Sequence, residues 1–164
     1  MSTTNRATGS PDDLDKVVTA LLTASRLLVA IAAKSLADVE DTLTLPQFRL
    51  LVVLDSRGPS SLAGLAERLE VNPSTALRMI ERLSQAGMVE KIANPAKRRE
   101  VLVRLTGAGW QTVRQATEAR RQELARIVAT MPAGQREDLV AALTAFTEAG
   151  GEPEAGLPSL PGWH

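Results

Sequence analysis

Two groups of side chains in this chain could act on an anionic partner. The first lies in the run Asn72-Pro73-Ser74-Thr75-Ala76-Leu77-Arg78-Met79-Ile80-Glu81-Arg82-Leu83. Asn72 followed by Pro73 reads as a helix start. The carboxamide can accept from the first turn, and proline's missing N–H costs nothing there. Arg78 then falls three residues after Thr75, and Arg82 four after Arg78, so Ser74 and Thr75 sit at the N-terminal end with guanidiniums further along. Leu77, Ile80 and Leu83, with Ala76 alongside, are expected to face the core. Hydroxyls and a helix N-terminus suit phosphate oxygens. Arginine suits the O6 and N7 of guanine. The second group is Lys97-Arg98-Arg99. Three consecutive cations gain nothing from packing, and a duplex beside them would relieve their repulsion through phosphates or a minor groove. Each group has a plain structural explanation by itself, as a capped surface helix or a solvated loop. Their order along the chain is what points to DNA.

The surrounding pattern supplies elements to position these groups. The segment from Pro11 to about Asp41 repeats Leu14, Val17, Val18, Leu21, Leu28, Ile31, Ala32 and Val39 at three- and four-residue steps, a helical period. About thirty residues make a rod of about 45 Å, whose apolar stripe needs a partner. Thr44 and Gln47 have capping-box spacing around Pro46, and Arg57-Gly58-Pro59 stops the second helix. A third helix from Leu62 to Leu69 can be capped by Ser61. The turn Glu70-Val71-Asn72 leads into the fourth helix, which ends at Gly87. Helix, short turn and capped helix is the helix-turn-helix order. Met88 to Ile92 and Val101 to Leu105 alternate on either side of the basic turn, so a β-hairpin is expected there. Thr106 can cap a fifth helix to Thr130, Pro132 breaks it, and a sixth runs from Ala133 to Ala149. The first and last two helices are expected to pack as a bundle.

Whole-chain properties remove most other chemistry. The 164 residues, 44% hydrophobic, allow one core but not a separate catalytic domain. There is no cysteine and one histidine, His164. Cysteine-ligated metal and thiol redox are therefore excluded. The single histidine speaks against a His-rich metal site and histidine-based nucleophilic catalysis. Nothing supports the one alternative left, a metal site of carboxylates alone, and no cofactor or metal is expected. Met1 to Ser10 lacks the apolar core of a signal peptide. No stretch is read as approaching the ~20 apolar residues of a membrane span, and the expected location is cytoplasmic. Net charge is zero, yet Pro46 to Leu105 holds ten Lys/Arg against six Asp/Glu. A basic middle between acidic flanks fits a local anion-binding face.

The run from Leu43 to Thr106 resembles the MarR (multiple antibiotic resistance regulator) family. The matching pieces are Leu45-Pro46-Gln47-Phe48-Arg49-Leu50-Leu51, Leu65-Ala66-Glu67-Arg68-Leu69, Pro73-Ser74-Thr75, Ile80-Glu81-Arg82-Leu83, Gly87-Met88-Val89 and Arg98-Arg99 with Val101-Leu102-Val103-Arg104-Leu105-Thr106. The resemblance implies a mainly α fold: a winged helix-turn-helix lobe over 44–106, and a helical dimerisation region over 11–43 and 107–149. Residues 1–10 and 150–164 read as a disordered leader and a flexible Gly/Pro-rich tail. It further implies a homodimer that represses transcription from a pseudo-palindromic site. Release by a small, often aromatic, anionic effector is also implied. Ser74, Thr75 and Arg78 resemble the family's groove-reading residues, and Arg99 its wing arginine. The family commonly has an aspartate two residues before that arginine. Here it is Lys97, which implies a less fixed Arg99 and more phosphate contact. Phe48 and Trp110 either line an effector pocket or pack in the core. The competing readings are a winged helix that binds protein partners rather than DNA, and the dimerisation part of an enzyme. No Gly-rich nucleotide loop supports the latter.

Overall fold

The computed structural model describes residues 10–40 and 43–152. Most of the expected leader and tail, including Trp163 and His164, lie outside the described residues. The elements are α1 (Pro11–Ala37), α2 (Leu45–Arg57), β1 (Ser60–Ser61), α3 (Leu62–Arg68), α4 (Pro73–Gln85), β2 (Val89–Ala93), β3 (Val101–Leu105), α5 (Gly107–Ala129) and α6 (Ala133–Gly150). The fold is mainly helical with a small antiparallel sheet, as expected.

Local chemistry sets the helix starts. Thr44 Oγ1 accepts from the Gln47 amide at 3.4 Å, and the Gln47 side chain accepts from the Thr44 amide at 3.0 Å. That reciprocal pair satisfies two of the amides a helix start leaves without intrahelical partners. It also satisfies the buried Gln47 carboxamide oxygen. Ser61 caps α3 by accepting from Gly64. Thr106 does two jobs. Its Oγ1 accepts from the Gly109 amide at 3.1 Å and donates to the Gly87 carbonyl at 2.6 Å. The start of α5 is thus tied to the end of α4. Glu70, in the turn between α3 and α4, has φ 54°, the left-handed region that favours glycine and costs another residue about 1–2 kcal/mol.

The core is built where α2, α3 and α4 meet the sheet. Leu50, Leu51, Leu65, Ile80 and Leu83 are fully buried. Val89 and Val103 from the hairpin, Leu36 from the end of α1, and Val113 and Ala116 from α5 join the same cluster.

Several expectations need correction. The sheet has three strands, in the order β1-β3-β2, with Ser60 opposite Val103 and Lys91 opposite Val103 on the other side. The two-residue β1 is defined by its partner and has no signal of its own. Helix α1 ends at Ala37 rather than near Asp41. Leu77 does not face the core. Met79, 8% exposed, takes the inner position, while Leu77 is 37% exposed. Nor is the chain without a segment long and apolar enough to span a membrane. Helix α1 meets that test by length and composition. In the single chain α1 packs on α5, but no residue of α6 is buried.

A candidate nucleic-acid interface on the fourth helix and the wing

Asn72 fixes the entry of α4. Its Oδ1 accepts from the Thr75 amide at 2.9 Å and from the Ser74 hydroxyl at 2.7 Å. The first turn is therefore rigid before any ligand arrives. Ala76, Met79, Ile80 and Leu83 anchor the inner face. Ser74, Leu77, Arg78, Glu81 and Arg82 are exposed on the outside, and Thr75 is half-buried. Thr75, Arg78, Met79 and Arg82 line a shallow depression on one flank of the helix. No ion pair holds Arg78 or Arg82 among the described residues. Both guanidiniums are available to an external anion.

The wing is built by antiparallel pairing of β2 and β3 and stiffened by Arg104, which donates from Nε to Glu90 Oε1 at 2.8 Å across the strands. The tip is closed by its own backbone. The Asn94 amide donates to the Glu100 carbonyl at 3.0 Å, and the Glu100 amide to the Lys97 carbonyl at 3.0 Å. Side chains add to this. Asn94 Nδ2 donates to Glu100 Oε2 at 2.5 Å, and Asn94 Oδ1 accepts from the Ala96 amide. Lys97 Nζ stands 3.9 Å from the same Glu100 oxygen. Arg98 and Arg99 are exposed, with no ion pair among the described residues. Glu100 thus anchors the tip without engaging either arginine. Sequence reading passed over Glu100 because it stands as a lone acid after three cations. Its pairing with Asn94, six residues away, appears only when the hairpin closes.

The two candidate pocket aromatics lie apart from one another's chemistry. Phe48 is 6% exposed and belongs to the core cluster. Trp110 is half-buried, with the Arg114 guanidinium 4.8 Å from its ring centre, a cation–π distance. An open cavity of about 290 Å³ does lie among α1, α2 and α5, lined by Leu28, Val29, Ile31, Ala32, Leu45, Arg120 and Leu124. Neither aromatic lines it.

The model of the MarR family matches residues 43–101, which run from the start of α2 to the start of β3. An uncharacterized HTH-type transcriptional regulator of Mycobacterium bovis, Mb0904, is 32% identical over 96 residues, covering 58% of this chain and 67% of that protein. This chain belongs to the MarR family. As a MarR-family protein it is a transcriptional regulator with a winged helix-turn-helix lobe, the fold class expected from its sequence. The crystal structure of RV1404 from Mycobacterium tuberculosis is 52% identical, with a TM-score of 0.82 over 90% of this MarR-family chain and 100% of that one. The S. aureus MepR F27L mutant bound to an oligodeoxyribonucleotide has a TM-score of 0.62 at 16% identity, over 81% of this chain and 96% of that one, a likeness of fold alone.

Proposed function

We propose that this MarR-family protein is a sequence-specific DNA-binding regulator that acts as a homodimer on a pseudo-palindromic site, as a repressor. The observation that carries this reading is the outer surface of α4. A helix rigidly capped by Asn72 presents Ser74, Thr75, Arg78 and Arg82, and the neighbouring wing presents Lys97, Arg98 and Arg99. In this reading α4 enters the major groove, with hydroxyls on phosphates and Arg78 on a guanine edge. The wing cations grip the flanking backbone. A two-fold dimer would place its two α4 helices about 34 Å apart, one turn of the duplex. The apolar faces left uncovered on α1 and α6 support the dimer. The division of labour is then a reading lobe over 44–106 and a dimerisation region from the flanking helices. A non-enzymatic role in the cytoplasm belongs to the same reading.

Selection of bound sequences from a random duplex library tests it, since it reports binding, symmetry and half-site spacing together. Recovery of no two-fold sequence would sink the reading. Arg78→Ala is expected to cost roughly 1–3 kcal/mol and to relax base preference at one position per half-site. A mobility-shift titration against specific and random duplex checks this, and equal discrimination by both proteins refutes it. Lys97→Ala is expected to leave base preference intact and to lower the slope of log K against log salt by about 1 per subunit. An unchanged slope removes Lys97 from the phosphate contacts.

An effector belongs to the proposal as well. The cavity among α1, α2 and α5 is apolar with one cation, Arg120, on its lining. That combination suits a small aromatic carboxylate. Such compounds are expected to release labelled duplex from the wild type and to act less on Arg120→Gln. Equal release from both would detach Arg120 from the site.

A further inference from the structure

Among the exposed side chains of α4 left out of these contacts, Leu77 is the large aliphatic one. Leu77 is 37% exposed, although Met79, Ile80 and Leu83 of the same helix are 8% exposed or less. With 3.6 residues per turn, Leu77 lies one turn from Ser74 and one turn from Glu81, beside Arg78. All three of these neighbours are exposed. The depression formed by Thr75, Arg78, Met79 and Arg82 occupies one flank of the outer surface. By the helical period Leu77 lies on the other flank. The outer surface of α4 therefore runs from hydroxyl and guanidinium groups across to a single large aliphatic group. The Asn72 cap fixes the first turn and four buried side chains fix the helix axis, so Leu77 is held in place on a rigid element.

A leucine there contributes little to the core and breaks an otherwise polar surface. It has an evident complement in a major groove. Among the groups that base pairs present there, only the C5-methyl of thymine is apolar. We propose that Leu77 is a specificity-determining residue that packs on a thymine methyl in each half-site. This rests on the DNA-binding reading above. Residues on a helix advance about 1.5 Å each, and base pairs about 3.4 Å. The thymine read by Leu77 therefore lies within one or two base pairs of the position read by Arg78.

The test uses the full-length protein and the duplex obtained by selection. Each thymine is replaced in turn by deoxyuridine, which removes the methyl and leaves base pairing unchanged. Wild type is expected to lose about four- to tenfold in affinity at one position per half-site, the effect of uncovering one methyl-sized apolar group. Leu77→Ala is expected to bind the thymine and uracil duplexes alike at that position, with its thermal melt unchanged. Wild type indifferent to every replacement, or a full thymine preference retained in Leu77→Ala, overturns the inference. Should Leu77→Ala fold poorly, Leu77→Val serves, with a reduced thymine preference expected and an undiminished one overturning the inference. Wild type that binds no duplex selectively refutes the DNA reading, and this inference with it. That outcome is distinct from selective binding without methyl dependence.

Discussion

The double substitution Val18→Asp, Leu22→Asp is expected to yield a monomer whose affinity for a two-half-site duplex falls by about 10²–10⁴-fold. The two residues are four apart on α1 and share a face. They are 46% and 58% exposed, and Leu14, Val17, Leu28 and Val29 extend the same apolar face at 49% to 65%. On α6, Val140, Leu143 and Phe146 are exposed as well, at 66%, 43% and 54%. A 27-residue helix is about 40 Å long, enough to contribute most of the ~800 Å² per partner of an ordinary stable interface. Two buried carboxylates facing their own copies across a two-fold axis would be neither paired nor solvated. The loss in affinity follows because joining two lobes makes the second half-site contact intramolecular, and separated lobes forgo that gain. The lobe itself should stay folded, since α1 is anchored at its far end by Ile31 and Leu36. Sedimentation equilibrium and binding to whole and half sites check this. A variant that still sediments as a dimer would mean that α1 is not the interface.

Gly109→Ala is expected to lower the melting temperature by roughly 2–8 °C, a net loss of about 1–2 kcal/mol at about 2–4 °C per kcal/mol for a chain of this size. A Cβ at Gly109 would lie 2.0 Å from the Met88 carbonyl oxygen and 3.0 Å from its carbon, with Leu105 Cδ2 at 3.2 Å. The first two are backbone, held by the Thr106 amide donating to that same oxygen at 3.1 Å. They cannot turn aside as a flexible side chain would. Overpacking of this kind costs about 1–3 kcal/mol or more, against a gain of at most about 1 kcal/mol from alanine's better helix propensity. Gly107→Ala is the control, because a Cβ there meets nothing within 4 Å. Calorimetry of the pair separates packing from propensity. Identical melts would show that the α5 start moves freely away from Met88.

Much of the fold was legible because helix ends are written locally. Thr44, Ser61, Asn72 and Thr106 each cap the helix expected of them, and a cap needs only its own first turn. Features that depend on distant partners were not legible. Strand β1 exists only against β3. The Glu100 anchor exists only when the hairpin brings it to Asn94. The misplacement of Leu77 has a different origin. Ala76, Met79, Ile80 and Leu83 follow the helical period as well as Leu77, Ile80 and Leu83 do, and residue type does not choose between the two phases. The neighbouring α3 and β2 make that choice. At the candidate site, the polar and cationic residues lie outside as their types require, while the apolar Leu77 could be placed only by the folded lobe.

The hydrogen bond from Thr106 to the Gly87 carbonyl, with Gly109 close against Met88, ties the start of α5 to the turn that ends α4. In the proposed dimer, a hinge there would let the two subunits reorient without moving the surfaces proposed to face DNA. A tilt of α5 in that dimer would be passed on to α4 through these contacts. Small adjustments near the pocket by Arg120 would then be magnified into a mismatch with the pitch of the duplex.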